Sequence, residues 1–146
     1  MKSLLRTSAP RRAGRYTLPG SGLDESVDAD QRVVVISLQG TLESMDRIAA
    51  LNEILTENPR DAFARYGLAM EYSKQGDFDR ALAEFALLLE NSPDYTAGYF
   101  MAAQTLARAE RVDEAKKMLQ EGISSARRTG NLHAQSEMEA MLQELG

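Results

Sequence analysis

Cysteine and tryptophan are absent from this chain, and histidine occurs once, at His133. Without cysteine there are no disulfides and no thiolate chemistry. A lone histidine leaves any zinc site short of ligands. No apolar run approaches the roughly 20 residues of a membrane-spanning helix. No block of like charges marks a nucleic-acid-binding or acidic tail, and the formal net charge is only −5. Gly20-Ser21-Gly22 lacks the later glycine and the following helix of a phosphate-binding loop. Met1 to Arg6 has no apolar stretch of a secretory signal. The segment up to Gly22 has no acid but carries Lys2, Arg6, Arg11, Arg12 and Arg15, faintly like an organelle transit peptide. Pro10 and Pro19 argue against the amphipathic helix such a peptide needs. A cytoplasmic protein is expected.

What is present is a chain of 146 residues with 43% hydrophobic residues, enough for one domain with a core. Composition changes near residue 44. The first part holds Gly14, Gly20, Gly22 and Gly40, with basic residues first and Asp24, Glu25, Asp28 and Asp30 after them. Residues 1–44 therefore read as a disordered leader. Within it Val33-Val34-Val35-Ile36-Ser37-Leu38 reads as a short strand, which must dock, pair with another chain or stay unfolded. Two readings follow: Val33–Leu38 plugs the surface of its own chain's helical region, or, since Met45 stands directly before the first helical pattern, residues 1–44 are a dispensable tail or a misassigned start.

From Met45 the apolar spacing becomes helical. Ile48, Leu51, Ile54 and Leu55 form one stripe, and Pro59 closes that helix. Asp61 is placed to cap a helix over about 62–75 that Gly76 ends. Asp77 caps the next, over about 78–91, and Ser92-Pro93-Asp94 is a second stop and cap. Helices over about 95–109 and 112–127 follow, then Gly130 as a stop and Asn131 as the cap of a sixth. Connections this short make successive helices antiparallel neighbours.

Two stretches match at a shift of 34 residues. Ala69 recurs as Ala103, Ala81 as Ala115, Asp79 as Asp113, Tyr66 as Phe100 and Phe85 as Leu119, while Pro59 recurs as Pro93. A fixed period of this size signals stacked helical hairpins, each unable to bury its face alone. Leu68-Ala69-x-x-Tyr72, Gly76, Ala81-x-x-x-Phe85 and Pro93 resemble the tetratricopeptide repeat (TPR) family. Residues 96–129 resemble a weaker copy, with Glu110 in place of the turn glycine and Arg127 in place of the proline. Residues 45–61 resemble half a repeat with Arg47 where a small residue is expected, and residues 131–145 a capping helix. The expected fold is all-α, a short α-solenoid of about six helices over residues 45–146.

The resemblance implies a non-catalytic adaptor or scaffold rather than an enzyme, with no cofactor and no metal. Its register places Phe63, Tyr66, Met70 and Lys74, then Phe100, Met101, Gln104 and Arg108, on a groove that binds a peptide or amphipathic helix of another protein. Phe63 and Tyr66 would be apolar anchors, Gln104 would bond a partner backbone, and Lys74 and Arg108 would steer an acidic segment. The competing reading makes these rings core. A homo-oligomer burying the groove or an array end is the alternative function; nucleic acid and membrane are not expected partners. His133 and Glu137, four residues apart, are read as an exposed helix pair rather than an acid–base dyad. Glu84, Glu90, Glu121 and Glu139 are expected on polar faces.

Overall fold

The computed structural model describes the backbone of residues 29–146 and side chains from residue 38 onward. Among the described residues there are six helices: α1 Ala29–Glu57, α2 Ala62–Gln75, α3 Phe78–Asn91, α4 Thr96–Arg108, α5 Val112–Thr129 and α6 Leu132–Glu144. No strand occurs among the described residues, and the fold is all-α. Two compact units are distinguished, residues 1–41 and Leu42–Gly146. The described part of the first unit, from Ala29, is helical.

The strand expected at Val33–Leu38 is overturned, because that segment lies inside α1. A strand must find its backbone partners in another strand, whereas a helix pairs its N–H groups with its own carbonyls. The helix penalty of a β-branched residue is at most about 0.7 kcal/mol, too small to decide against that. Of the expected leader, residues 29–44 are helical and residues 1–28 lie outside the described residues.

Local chemistry sets the other helix ends. The Asp61 carboxylate accepts from the Ala64 N–H at 2.8 Å, that of Asp77 from Arg80 at 3.3 Å, and the Asn131 side-chain oxygen from Ala134 at 3.0 Å. Gly76 and Gly130 terminate α2 and α5 in the left-handed conformation, with φ 85° and 71°. Glu110, where the turn glycine is missing, adopts φ 62° nonetheless. The repeat geometry thus imposes at Glu110 a backbone that a side chain disfavours.

In the second unit α2 to α6 each pack on the next, α4 also touches both α2 and α6, and Leu51 and Leu55 of α1 pack with Ala64 and Leu68 of α2. The even-numbered helices therefore make one layer. Ala69, Ala81, Phe85, Leu88 and Ala102 form the central core, and Tyr99, Ala103, Leu119, Ile123, Ala126 and Met138 form the next. The alanines are fully buried because helix backbones approach closely there. Gly122 is the extreme case: an added Cβ would lie 2.5 Å from Met138 Sδ and 2.6 Å from Tyr99 Cβ. Met138 caps the stack through that gap. Buried hydroxyls pair between helices, Ser73 with Thr105 across two repeats at 2.8 Å and Thr96 with Ser125 within the second repeat at 3.1 Å.

Candidate functional site

The residues assigned to the groove fall on α2 and α4, but they are not equally available. Phe63, in the first turn of α2, is 76% exposed. Tyr66, Met70, Phe100, Met101 and Gln104 are half-buried. The Tyr66 ring meets Phe85 edge-on at 6.4 Å and lies 5.3 Å from the Tyr95 ring. Burial, and then the neighbouring Tyr95, push the Tyr66 phenol above its usual range. Met70 and Met101 pack on the central core and Phe100 on the next one. The two readings of these rings thus divide by residue. Phe63 stands in solvent, while Tyr66 and Phe100 are rooted in core and present one side outward.

The two cations are already engaged. Lys74 pairs with Glu71 at 3.2 Å. Arg108 donates to Ser73 Oγ at 3.1 Å and lies 5.1 Å from the centre of the Phe78 ring. Arg108 is therefore a fastener between adjacent repeats as well as a surface charge. Glu71 is the hub at the start of the array. Its buried carboxylate accepts from Ser44 at 3.0 Å and from Arg47 Nε at 2.9 Å. Burial alone would raise its pKa, but hydrogen bonds from Arg47, Lys74 and Ser44 outweigh that and hold it below the usual carboxyl range.

Two features escaped the sequence reading. Leu132, the first residue of α6, is 74% exposed. It stands in a first turn like Phe63, with the exposed Ala97 of α4 between them in register. A shallow hollow of about 350 Å³ opens at this edge, lined by Asp94, Tyr95, Thr96, Ala97, Thr129 and Asn131. Counting the repeat as 35 rather than 34 at the last step would have found Leu132. The second feature is on the odd-numbered helices. There α3 and α5 part over α4 and leave a cleft of about 260 Å³. Leu82, Phe85, Leu106 and Met118 line it, and Arg111, Glu114, Lys117 and Glu121 stand around it. Arg111 grips Glu114 at 2.7 and 2.8 Å. No sequence signal marks a cleft between two helices that are not consecutive.

His133 is largely exposed and meets Glu137 at 2.7 Å, the surface pair that their spacing suggests. Glu84 departs from its expected place on a polar face: it is half-buried and accepts from Arg65 at 2.6 Å, tying α3 to α2. Glu139 likewise accepts from Arg127 and Gln135. Among the described residues no group of three potential metal ligands gathers, and no helix is long and apolar enough to cross a membrane.

Comparison with known proteins agrees with this architecture. The tetratricopeptide repeat family profile matches residues 72–135. A TPR repeat-containing protein of Pseudomonas aeruginosa is 28% identical over 98 residues, which are 67% of this chain and 93% of that protein. The solution structure of a tetratricopeptide repeat domain protein from Salinibacter ruber is 35% identical with a TM-score of 0.57, covering 60% of this chain and 89% of that one. The type III secretion chaperone SycD of Yersinia enterocolitica, solved with a peptide of the translocator YopD, is 16% identical. It shares the fold with a TM-score of 0.65, covering 81% of this chain and 94% of SycD. On the repeat register, the helix caps and these matches, the chain belongs to the tetratricopeptide repeat family.

Proposed function

We propose that this protein is a non-catalytic interaction module whose even-numbered helices bind a peptide or amphipathic helix of another protein. The observation that carries the reading is Phe63, a phenylalanine 76% exposed beside the half-exposed Tyr66 and Met70 on one helix. Leaving so large an apolar side chain in water forgoes roughly 1.5–3 kcal/mol that burial would supply. A partner that covers it recovers that energy. Phe63 and Leu132 act as the outer apolar contacts, Tyr66, Met70, Phe100 and Met101 form the floor, and Gln104 bonds a partner backbone. Lys74 and Arg108, bonded internally, contribute long-range steering of an acidic segment. The peptide-bound SycD structure supports the use of such a fold for peptide capture.

The outer cleft at Leu82 and Met118 is a second reading, favoured by its apolar walls of Leu82, Phe85, Leu106 and Met118. Selection of a random displayed peptide library against the protein separates the two. Phe63→Ala is expected to weaken the selected peptides at least about tenfold, the loss of one good apolar anchor, and Met118→Glu to leave them unchanged. The reverse pattern moves the site to the outer cleft. Failure of the library to yield any binder counts against both.

A further inference from the structure

We propose that the outer cleft between α3 and α5 is a socket for Phe63 of a second copy of the chain. The volume of the cleft narrows the choice of occupant. It is about 260 Å³, below the roughly 300–1,000 Å³ of pockets that enclose a whole small-molecule ligand. That leaves room for one large side chain. The space exists because Ala86 and Ala102, which line it, are short, while Leu82, Phe85, Leu106 and Met118 make its walls apolar. An aromatic ring set in an apolar pocket is the commonest kind of anchor at protein interfaces.

The chain carries a matching knob. Phe63 is 76% exposed in the first turn of α2 and does not line the cleft of its own molecule, so that cleft is open to another copy. The charges around knob and socket are complementary. Arg60 and Asp61 stand just before Phe63, and Lys117 and Glu121 stand at the cleft. None of these four has an ion-pair partner among the described residues, whereas Arg111 and Glu114 beside the cleft already grip each other. Docking therefore brings one unpaired cation and one unpaired carboxylate from each side together, which orients the contact. Leu132 is as exposed as Phe63 but lacks this setting: Asn131 before it is a cap, and His133 after it is paired with Glu137. Knob and socket are different surfaces, so the contact is heterologous. Each copy in a pair keeps one knob or one socket for a further neighbour, and growth continues unless the rotation closes a ring.

The proposal shares with the groove reading only the premise that Phe63 is a contact residue. Light scattering on the full chain across a concentration range tests it. The expected mass is 16.1 kDa at high dilution and rises with concentration. Phe63→Ala removes the knob, and Ala86→Glu sets a charged side chain at an exposed position of the socket. Each should weaken association at least about tenfold, as loss of an interface anchor does, with helical circular dichroism unchanged. An equimolar mixture of the two variants should associate again and stop at pairs, because one supplies only the socket and the other only the knob. Leu132→Ala should behave as the wild type. A wild type at 16.1 kDa throughout overturns the proposal. So does association that survives either variant, a mixture that stays monomeric, or association lost in Leu132→Ala. Should Ala86→Glu fail to fold, Ala86→Phe, which fills the cleft with its own ring, takes its place. Ala86 lies off the even-numbered helices, so peptides selected on the groove should bind Ala86→Glu unchanged. A wild type that binds those peptides but never self-associates overturns this proposal alone.

Discussion

α1 and α3 occupy equivalent places in the array and have opposite fates. Leu88 is 1% exposed, and Ile54, one repeat earlier, 45%. Ala81 is sealed between helices, and Arg47 at the same position reaches across to Glu71. The residues on both helices are apolar at similar spacing, so their burial is set by the neighbour on the far side. In a stacked array each hairpin closes the one before it. Where α1 meets α2, polar contacts join an apolar cluster of Leu55, Ala64 and Leu68: Ser44, Arg47 and Lys74 converge on one buried carboxylate where the interior uses alanine and phenylalanine.

The sharpest break of this comparison is a matched pair of truncations. Leu88→Ala should cost about 2–5 kcal/mol, because a closed core site keeps its cavity. Ile54→Ala should cost less than about 1 kcal/mol at concentrations where the chain is monomeric, since a side chain already in water loses little transfer energy. Urea unfolding of both variants measures the difference, and equal costs would show that the end of the array is covered.

The polar fastening is tested next. Glu71→Gln keeps the shape and removes the charge, and should cost about 1–3 kcal/mol at neutral pH, as for hydrogen bonds to a charged group. Glu71 has a folded-state pKa below its unfolded value of 4.5, so its contribution is complete above 4.5 and is lost as the pH falls through the folded-state value. The wild type should therefore lose stability over that acid range more steeply than the variant. Parallel pH profiles would remove Glu71 from the account.

The smallest effect sharpens a second contrast, between the turn at Gly76 and that at Glu110. Both adopt positive φ, 85° and 62°, but only one does so freely. Glu110→Gly should raise stability by up to about 1 kcal/mol, the relief of the left-handed strain less the added chain entropy. Thermal unfolding reads it directly; a loss of stability would mean that the Glu110 side chain supplies more than its backbone costs.

The legible parts of the molecule were those governed by near neighbours in the chain. Asp61, Asp77 and Asn131 cap as their spacing predicts, because a cap needs only the next three residues. The site was half legible. Register alone placed Phe63 at the surface, but it gave Tyr66 and Phe100 the same standing, although one leans on Phe85 and the other on the Tyr99–Leu119 core. The outer cleft between α3 and α5 was not legible, since its walls come from helices separated by another helix. Val33–Leu38 was misread because side-chain preference was weighed without asking where the backbone bonds would go.

The sequence by itself determined the period, the caps at Asp61, Asp77 and Asn131, the stops and the small residues of the close contacts, all local demands of backbone geometry and side-chain volume; Asp94, read as part of a cap, caps nothing and accepts from Arg128 instead. Only the tertiary structure decided that Arg108 fastens one repeat to the next, that Glu84 is half-buried against Arg65, and that Ile54 is left exposed. Those outcomes depend on what lies across a gap between helices, and the spacing along one helix carries no record of the partner on the other side.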